Sequence, residues 1–410
     1  MPAVHASFLR LAVLCCALSP SARAQEPPPA PAPSAEVRRL EAEIEALRQE
    51  FSARLVALEA RLDAVAQAPP PSSAPPAASQ APTVVAPLGS KIFNPDIAVV
   101  GNFLGASGRS ASPDAPPALD MNEAEASFQA VVDPYARADF FLTFGPDEVG
   151  IEEGFITFPT VPGGLLVKVG KMRDAFGKVN AMHAHALPWT DRPLATRNLA
   201  GGDEGMADAG LSVSKLIPNR FLFLEATGQA YRGQSEIFAG PTRGDLAYLG
   251  RLRAFRDLGE SMNLDLGGSF AYGHNGVTAD TTTRLAGADL TFRWRPLRRA
   301  IYRRFLARTE LMWSRREGET GPSKAFGIYA AADYQFARRF VAGARYDFSE
   351  RAEDPRLDDS GGSLLLTWWP SEFSQIRGQL RRTRYAEGIT ANQFLFQFLF
   401  SIGAHGAHVF

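Results

Sequence analysis

The chain closes on NQFLFQFLFSIGAHGAHVF, Asn392 to Phe410. Phe394, Phe396, Phe398, Phe400 and Ile402 share one parity, and Leu395, Gln397, Leu399 and Ser401 take the other. A strand sends alternate residues to opposite faces, so one face is continuously apolar and the other is mixed. Soluble domains usually end in a few polar, frayed residues. A strand that is apolar outside and mixed inside suits the wall of a barrel in lipid.

Upstream, from about Asn94, segments of about ten to fourteen residues with the same two-fold alternation recur, among them DIAVVGNFLGA, ARADFFLTFG, GLLVKVGKMRD, MNLDLGGSFAYGH and GGSLLLTWWP. Each has the length that a tilted strand needs to cross a membrane. The count reads sixteen, an even number. Fourteen and eighteen stay open, because strand edges shift by about two to four residues. Connections alternate. DPY, TVPGG, IPN, ARR and PSE are short, whereas SGRSASPDAPPALDM, GQSEIFAGPTRG and ERAEDPRLDDSG are longer and more polar. GPDE breaks the alternation. Short turns on one side and longer loops on the other are what an outer-membrane barrel with periplasmic termini requires. The expected class is all-β, a transmembrane antiparallel barrel over 94–410.

The N-terminal region supports export. MPAVHASFLRLAVLCCALSPSARAQ carries Arg10, an apolar run from Leu11 to Leu18 and small residues at Ala22 and Ala24, which reads as a signal peptide over 1–24. Both cysteines lie inside it, so disulfide and thiol chemistry are excluded from the mature chain. A Pro-rich spacer follows over 25–35. Over 36–67, Leu40, Ile44, Leu47, Phe51, Arg54, Leu58, Arg61 and Val65 recur at four- and three-residue intervals, the seam of a coiled coil. Self-association and a lone amphipathic helix are both compatible with that pattern. A Pro/Ala/Ser-rich linker spans 68–93. No later stretch is apolar for long enough to form a transmembrane helix. The expected location is the outer membrane of a Gram-negative bacterium, with the N-terminal segment in the periplasm.

The net charge of -1 argues against a nucleic-acid binder that works by bulk charge. The longest break, DAFGKVNAMHAHALPWTDRPLATRNLAGGDEG, runs from Asp174 to Gly205 and follows the fifth strand. A loop of this length without secondary structure is usually functional. Its prolines, Trp189 and apolar residues indicate a packed loop, with His183, His185, Trp189, Asp191 and Arg192 as its candidate residues. In sixteen-stranded porins the loop after strand five folds into the lumen and narrows it.

At this point the sequence resembles a family. LLVKVGKMRDAFGKVN, Leu165 to Asn180, is similar to the strand-and-turn signature of the phosphate-selective porin O and P family, and the coiled coil ahead of the barrel is similar to that of related trimeric porins. The resemblance implies a homotrimer in which each barrel is an anion-favouring pore. One departure is plain: those porins carry a lysine ladder, and here lysines such as Lys168 and Lys171 are few. Arginines stand in their place. Lys168, Arg251, Arg253, Arg293, Arg308, Arg345, Arg377 and Arg381, with Glu310, have the parity of the lumen face and are expected to line the pore. Two readings remain for them, an anion path or a set of ion pairs that stiffens the wall.

His183 with His185, and His405 with His408, suggest metal ligation. The terminal pair has odd spacing, which on a strand places the two rings on opposite faces. The loop pair supplies only two ligands, so no metal and no cofactor is expected. Phe410 fits the aromatic end read by the barrel-assembly machinery, with His405 where that signal usually has glycine. The leading function is passive diffusion of small hydrophilic solutes across the lipid bilayer. Metal-related uptake and a structural tether are the alternatives. A TonB-dependent receptor needs a plug domain larger than the stretch before the barrel. An enzyme needs a nucleophile motif, and His183 with Asp191 is the nearest approach to a catalytic constellation, without one.

Overall fold

The computed structural model describes residues 95–109, 118–145 and 149–403, together with Gln49. Contacts divide the chain into two compact units, Met1–Val84 and Val85–Phe410. Of the first, only Gln49 is described, and it is helical. The signal peptide, spacer and linker, the rest of the coiled coil, and His405, His408 and Phe410 lie outside the described residues.

The second unit is a closed antiparallel barrel of sixteen strands. They are β1 (Asp96–Arg109), β2 (Leu119–Asp133), β3 (Ala136–Phe144), β4 (Val149–Val161), β5 (Leu165–Arg173), β6 (Ala207–Leu216), β7 (Phe223–Tyr231) and β8 (Ala247–Gly259). The circuit continues with β9 (Met262–His274), β10 (Thr282–Trp294), β11 (Arg304–Gly318), β12 (Gly321–Ala337), β13 (Phe340–Glu350), β14 (Asp358–Ser371), β15 (Ser374–Arg384) and β16 (Thr390–Gly403). Each strand pairs with its neighbours in sequence, and β1 closes on β16 with Ala98 opposite Gly403 and Arg109 opposite Asn392. Closure leaves no unpaired backbone edge, which is the condition for a sheet in hydrocarbon.

The faces are inverted relative to a soluble barrel. Leu364 is 63% exposed on the outer face, whereas Gln397 is 1% exposed on the inner one. Asn102, Ser212, Gln229, Asp265, Thr291 and Gln379 are likewise buried inside, and Leu252, Phe270, Tyr346, Leu380 and Phe394 stand outside. On β16 the aromatic stripe has the outward parity expected from its alternation, with Leu395, Gln397 and Leu399 buried. Among the described residues no helix is long and apolar enough to cross a membrane, so crossing falls to the strands.

One end carries both termini of the barrel and tight connections such as 134–135, 260–261, 338–339 and 372–373; the other carries 174–206, 232–246 and 351–357. The connection between β11 and β12 departs from the expectation of a longer loop. These strands stay paired out to Gly318 opposite Gly321, leaving a two-residue turn. Ser314 to Lys324 holds only polar residues, glycine and proline, with no apolar alternation, yet the ladder runs on through it.

Candidate functional site

Segment 174–206 departs at the loop end of β5 and returns to β6. Its base is tied by Asn180, whose Nδ2 donates to the carbonyls of Asp174 and Met206 at 2.8 and 2.9 Å, while its Oδ1 accepts from the Met206 amide at 2.7 Å. Gly177 is in the left-handed region at φ 59°, and a Cβ there would collide with the Glu310 carboxylate. Only glycine lets the backbone come this close to β11. Glu310 Oε1 accepts from the amides of Lys178 and Val179 at 3.0 and 2.9 Å and from the Tyr329 hydroxyl at 3.0 Å. Two buried amides are thereby satisfied far from any backbone partner.

The segment is not devoid of secondary structure, as its composition suggested. It contains a 3₁₀ turn at Ala184–Ala186 and a short helix, α1 (Leu194–Leu199), entered through Pro193 and ended by the Gly201–Gly202 turn. The Asp347 carboxylate of β13 accepts from the Leu194 amide at 3.2 Å, capping the helix start where backbone donors lack partners. Leu194, Ala195 and Leu199 are buried. Val179, Leu187 and Trp189 pack with the inward residues Tyr329, Ala331 and Leu365 in a second apolar cluster.

Trp189 is fully buried, edge-on to Tyr329 with ring centroids 5.2 Å apart. Arg345 and Arg308 lie over its ring at 4.9 and 5.5 Å, so the indole face meets two cations, of which Arg345 is buried. Beside it Asp191 receives Arg345 Nη2 and Arg381 Nη1, each at 2.8 Å, and Gln379 Nε2 at 2.6 Å. Burial opposes ionisation of Asp191, but Arg345 and Arg381 outweigh it and hold its carboxyl well below the usual range. Arg377 donates to the Leu187 carbonyl at 2.9 Å. Arg192 braces the segment itself, donating to the carbonyls of Val179, Met182 and Asp203. Burial pushes it down to about 10, with Arg173 adding repulsion.

The opposite flank is reversed in sign. His183 Nδ1 is 2.6 Å from Glu125 Oε2 on β2, and Nε2 is 2.7 Å from Glu153 Oε2 on β4. Burial disfavours the imidazolium, yet the Glu125 and Glu153 hydrogen bonds prevail and push its pKa up to about 10. Glu152 Oε2 lies 3.3 Å from Nδ1 as well. Adjacent strand residues normally face opposite ways; here the pairing of β3 with β4 slips between Phe141 and Leu142, skipping Glu152. That bulge re-aims a side chain, so two consecutive glutamates reach the same ring. Arg173 hydrogen-bonds Glu152 in turn. His185 Nδ1 is 3.6 Å from Glu125 Oε2. Asp174, at the base, is pushed up to about 8 by burial and by the neighbouring Asp208.

The other expected residues divide into two groups. Arg251 pairs with Asp289 at 2.8 Å, Arg253 with Asp265 at 2.9 Å, Arg293 with Asp265 at 3.7 Å and Arg308 with Asp333 at 3.5 Å. These four border a cavity of about 630 Å³ on the terminus side of the segment. A second cavity of about 350 Å³ shares Arg293 and Arg308 and adds Arg377. Lys178 of the segment joins Asp265 at 2.8 Å. Lys168 lies over the Phe155 ring at 4.5 Å. Glu310 and Arg345, expected along the open lumen, are instead 2% and 3% exposed and sealed by the segment. They serve as acceptor and donor for its backbone and Asp191. His183 and Asp191, the nearest approach to a catalytic pair, engage different strands. Sequence reasoning passed over Glu123, Glu125, Glu152 and Glu153. NEAEASF, with glutamates at alternate positions, and IEEGF, with two adjacent glutamates inside a strand, were the signals available.

No protein-family model matches the chain. Among solved structures, the barrel is similar to an anion-selective porin from Comamonas acidovorans, at 12% identity and TM-score 0.53 over 75% of this chain and 98% of that one. It is also similar to OmpT, an outer membrane protein of Vibrio cholerae, at 12% identity and TM-score 0.52 over 77% and 99% of the two chains. The outer membrane channel DcaP of Acinetobacter baumannii matches at 10% identity and TM-score 0.50 over 76% and 97%. At these identities the likeness is one of fold, that of outer-membrane porins. In sequence, an uncharacterized protein of Aquifex aeolicus is 31% identical over 336 residues, spanning 71% of this chain and 70% of its own length. The chain belongs to the same family as that Aquifex aeolicus protein.

Proposed function

We propose that the protein is an outer-membrane channel for passive diffusion of small hydrophilic solutes, with segment 174–206 narrowing the lumen. One observation carries this reading. The segment hydrogen-bonds to inward side chains of β2, β4, β7, β9, β11, β13, β14 and β15, so it crosses the barrel interior. Solutes would pass beside it, and on the β8–β11 flank they would meet Arg251, Arg253, Arg293 and Arg308. Each of these has a carboxylate within 4.0 Å, so the flank favours anions weakly and phosphate selectivity does not follow. The anion-selective name of one fold neighbour agrees with that direction.

The barrel sits in this reading as a homotrimer in a Gram-negative outer membrane, its N-terminal segment in the periplasm. On the outer wall, Ala330, Ala332, Ala344 and Gly362 form a shallow groove rimmed by Tyr346 and Leu364. Small residues of this kind admit a neighbouring wall closely.

Single-channel recording in planar bilayers tests the reading. Replacing 184–198 by a short Gly-Ser linker should raise conductance severalfold and admit larger solutes. Unchanged conductance in a folded barrel would remove the segment from the solute path, and a full-length protein that forms no channels would remove the function.

A further inference from the structure

The cluster around His183 contains more carboxylate than a hydrogen-bonded histidine needs. Glu123, Glu125, Glu152 and Glu153 converge there, and Arg173 is the guanidinium that meets them. Two observations point to a missing cation. Glu152 has a side chain only 8% exposed, and its Oε2, aimed at His183 Nδ1 from 3.3 Å, accepts no hydrogen bond. Glu123 Oε2 is also buried without a hydrogen bond. In addition, one donor atom from each of Glu125, His183 and His185 lies within 4.8 Å of the other two, as do those of Glu123, Glu125 and Glu152, with Glu125 common to both groups.

We infer that His183, His185 and Glu125 form a binding site for a divalent first-row transition metal ion, with Glu152 in reach as a fourth ligand. Two imidazoles and one carboxylate are a zinc donor set, bound at about 2.0–2.2 Å, which puts neighbouring donors roughly 3.3 Å apart in tetrahedral geometry. The present contacts of 2.6 Å and 3.6 Å from Glu125 Oε2 to the two rings bracket that spacing, so the ion enters with small side-chain shifts. Imidazole donors favour such metals over calcium or magnesium. Glu153, on the far nitrogen of His183, orients the ring in the manner of a carboxylate–histidine–metal triad. Glu125, His183 and His185 all border the 630 Å³ cavity, which supplies the entry path. The site does not depend on whether the barrel conducts. The loop histidines, two ligands by themselves, gain a third from Glu125, 58 residues away on β2.

The experiment titrates the full-length, detergent-folded protein, stripped with chelator, with ZnCl₂ by calorimetry and CoCl₂ by visible absorption. One Zn²⁺ per chain is expected, with cobalt ligand-field bands of a four- or five-coordinate site and no response to CaCl₂. Glu125→Gln and His185→Gln should each weaken binding at least about tenfold, while His274→Gln, on the remote end of β9, should not. Far-UV circular dichroism establishes that each variant is a folded barrel. If His183→Gln fails to fold, the other two variants decide. Absence of zinc binding by the wild-type protein, or binding of unchanged strength in both Glu125→Gln and His185→Gln, overturns the inference; the second outcome would shift attention to His405 and His408.

Discussion

The two flanks of the inward segment are held by opposite chemistry. Towards β13 and β15 the segment contributes a carboxylate, Asp191, and the wall contributes Arg345 and Arg381. Towards β2 and β4 the segment contributes an imidazole, His183, and the wall contributes Glu125 and Glu153. The pairing dictates orientation, because an inverted segment would oppose like charges on both flanks. It also separates permanence from adaptability. Guanidinium keeps its charge at any relevant pH and grips a carboxylate through a planar fork. Imidazole exchanges a ring proton for a metal. The basic flank is an anchor, and the acidic flank is a site.

If that contrast holds, the largest effect belongs to Asp191→Ala. It leaves Arg345, 3% exposed, with Asp347 as its remaining carboxylate and deprives Arg381 of its only ion-pair partner among the described residues. Removing one member of a buried pair costs about 3–5 kcal/mol. The segment should detach, become protease-sensitive and let single-channel conductance rise severalfold. Wild-type protection in this variant would show that the remaining contacts, apolar packing around Trp189 among them, suffice to hold the segment.

His183→Gln should have a smaller effect. It removes charge-assisted hydrogen bonds of about 1.5–3 kcal/mol each but relieves buried glutamates by protonation. Partial protease sensitivity and a modest conductance rise are expected, below those of Asp191→Ala. An effect as large as that of Asp191→Ala would erase the distinction between anchor and site.

Selectivity should follow the arginines of the β8–β11 flank. Replacing Arg251, Arg253 and Arg308 together by Ala removes the Arg308–Asp333 ion pair, leaves Asp289 to Lys178 at 3.9 Å and weakens the hold on Asp265, so the reversal potential in a KCl gradient should move towards cations. An unmoved potential would leave these arginines as braces of the wall.

Asp174 offers a gentler, pH-driven loosening. Its carboxyl titrates at about 8 when the segment is docked, against 3.8 ordinarily. The docked state therefore keeps a proton that the released state gives up, so each rise in pH between about 4 and 8 favours release. Above 8 both states are ionised and the dependence ends. Protease sensitivity of the segment should grow from pH 5 to 8 and level off. Asp174→Asn should flatten the curve; a slope that persists in this variant would assign it to another group. The smallest effect on conduction is expected from removing 36–67, which should lower the dissociation temperature of a trimer in mild detergent while leaving conductance per barrel unchanged. A truncated trimer of full stability would exclude the coiled coil from assembly.

Strand number and facing were legible because they rest on local information. Period-two alternation in β8, β13 and β16 assigns each side chain to lipid or lumen without reference to its neighbours. The limit lay at turns such as Gly318–Gly321, where the ladder runs on through a polar, Gly- and Pro-containing stretch that by itself reads as loop. The length and position of 174–206 marked it as a segment of interest, and its residues were named. What they touch was not legible. Arg345 has the parity of an open-lumen residue, and only the docked segment makes it a buried one.

The sequence by itself determined that this chain builds a barrel of alternating strands with apolar residues outward, and that arginine outnumbers lysine at its inward positions. Periodicity and composition suffice for these, since each depends on residues a few positions apart. Tertiary structure alone decided that His183 meets Glu125 and Glu153, 58 and 30 residues distant, and that Asp191 meets Arg345 and Arg381, 154 and 190 residues distant. Closing the barrel brings these strands around one lumen, and the bulge at Glu152 turns a third glutamate towards the same ring. Coulomb attraction between groups so far apart in sequence acts only after closure, which is why no spacing rule in the chain encodes it.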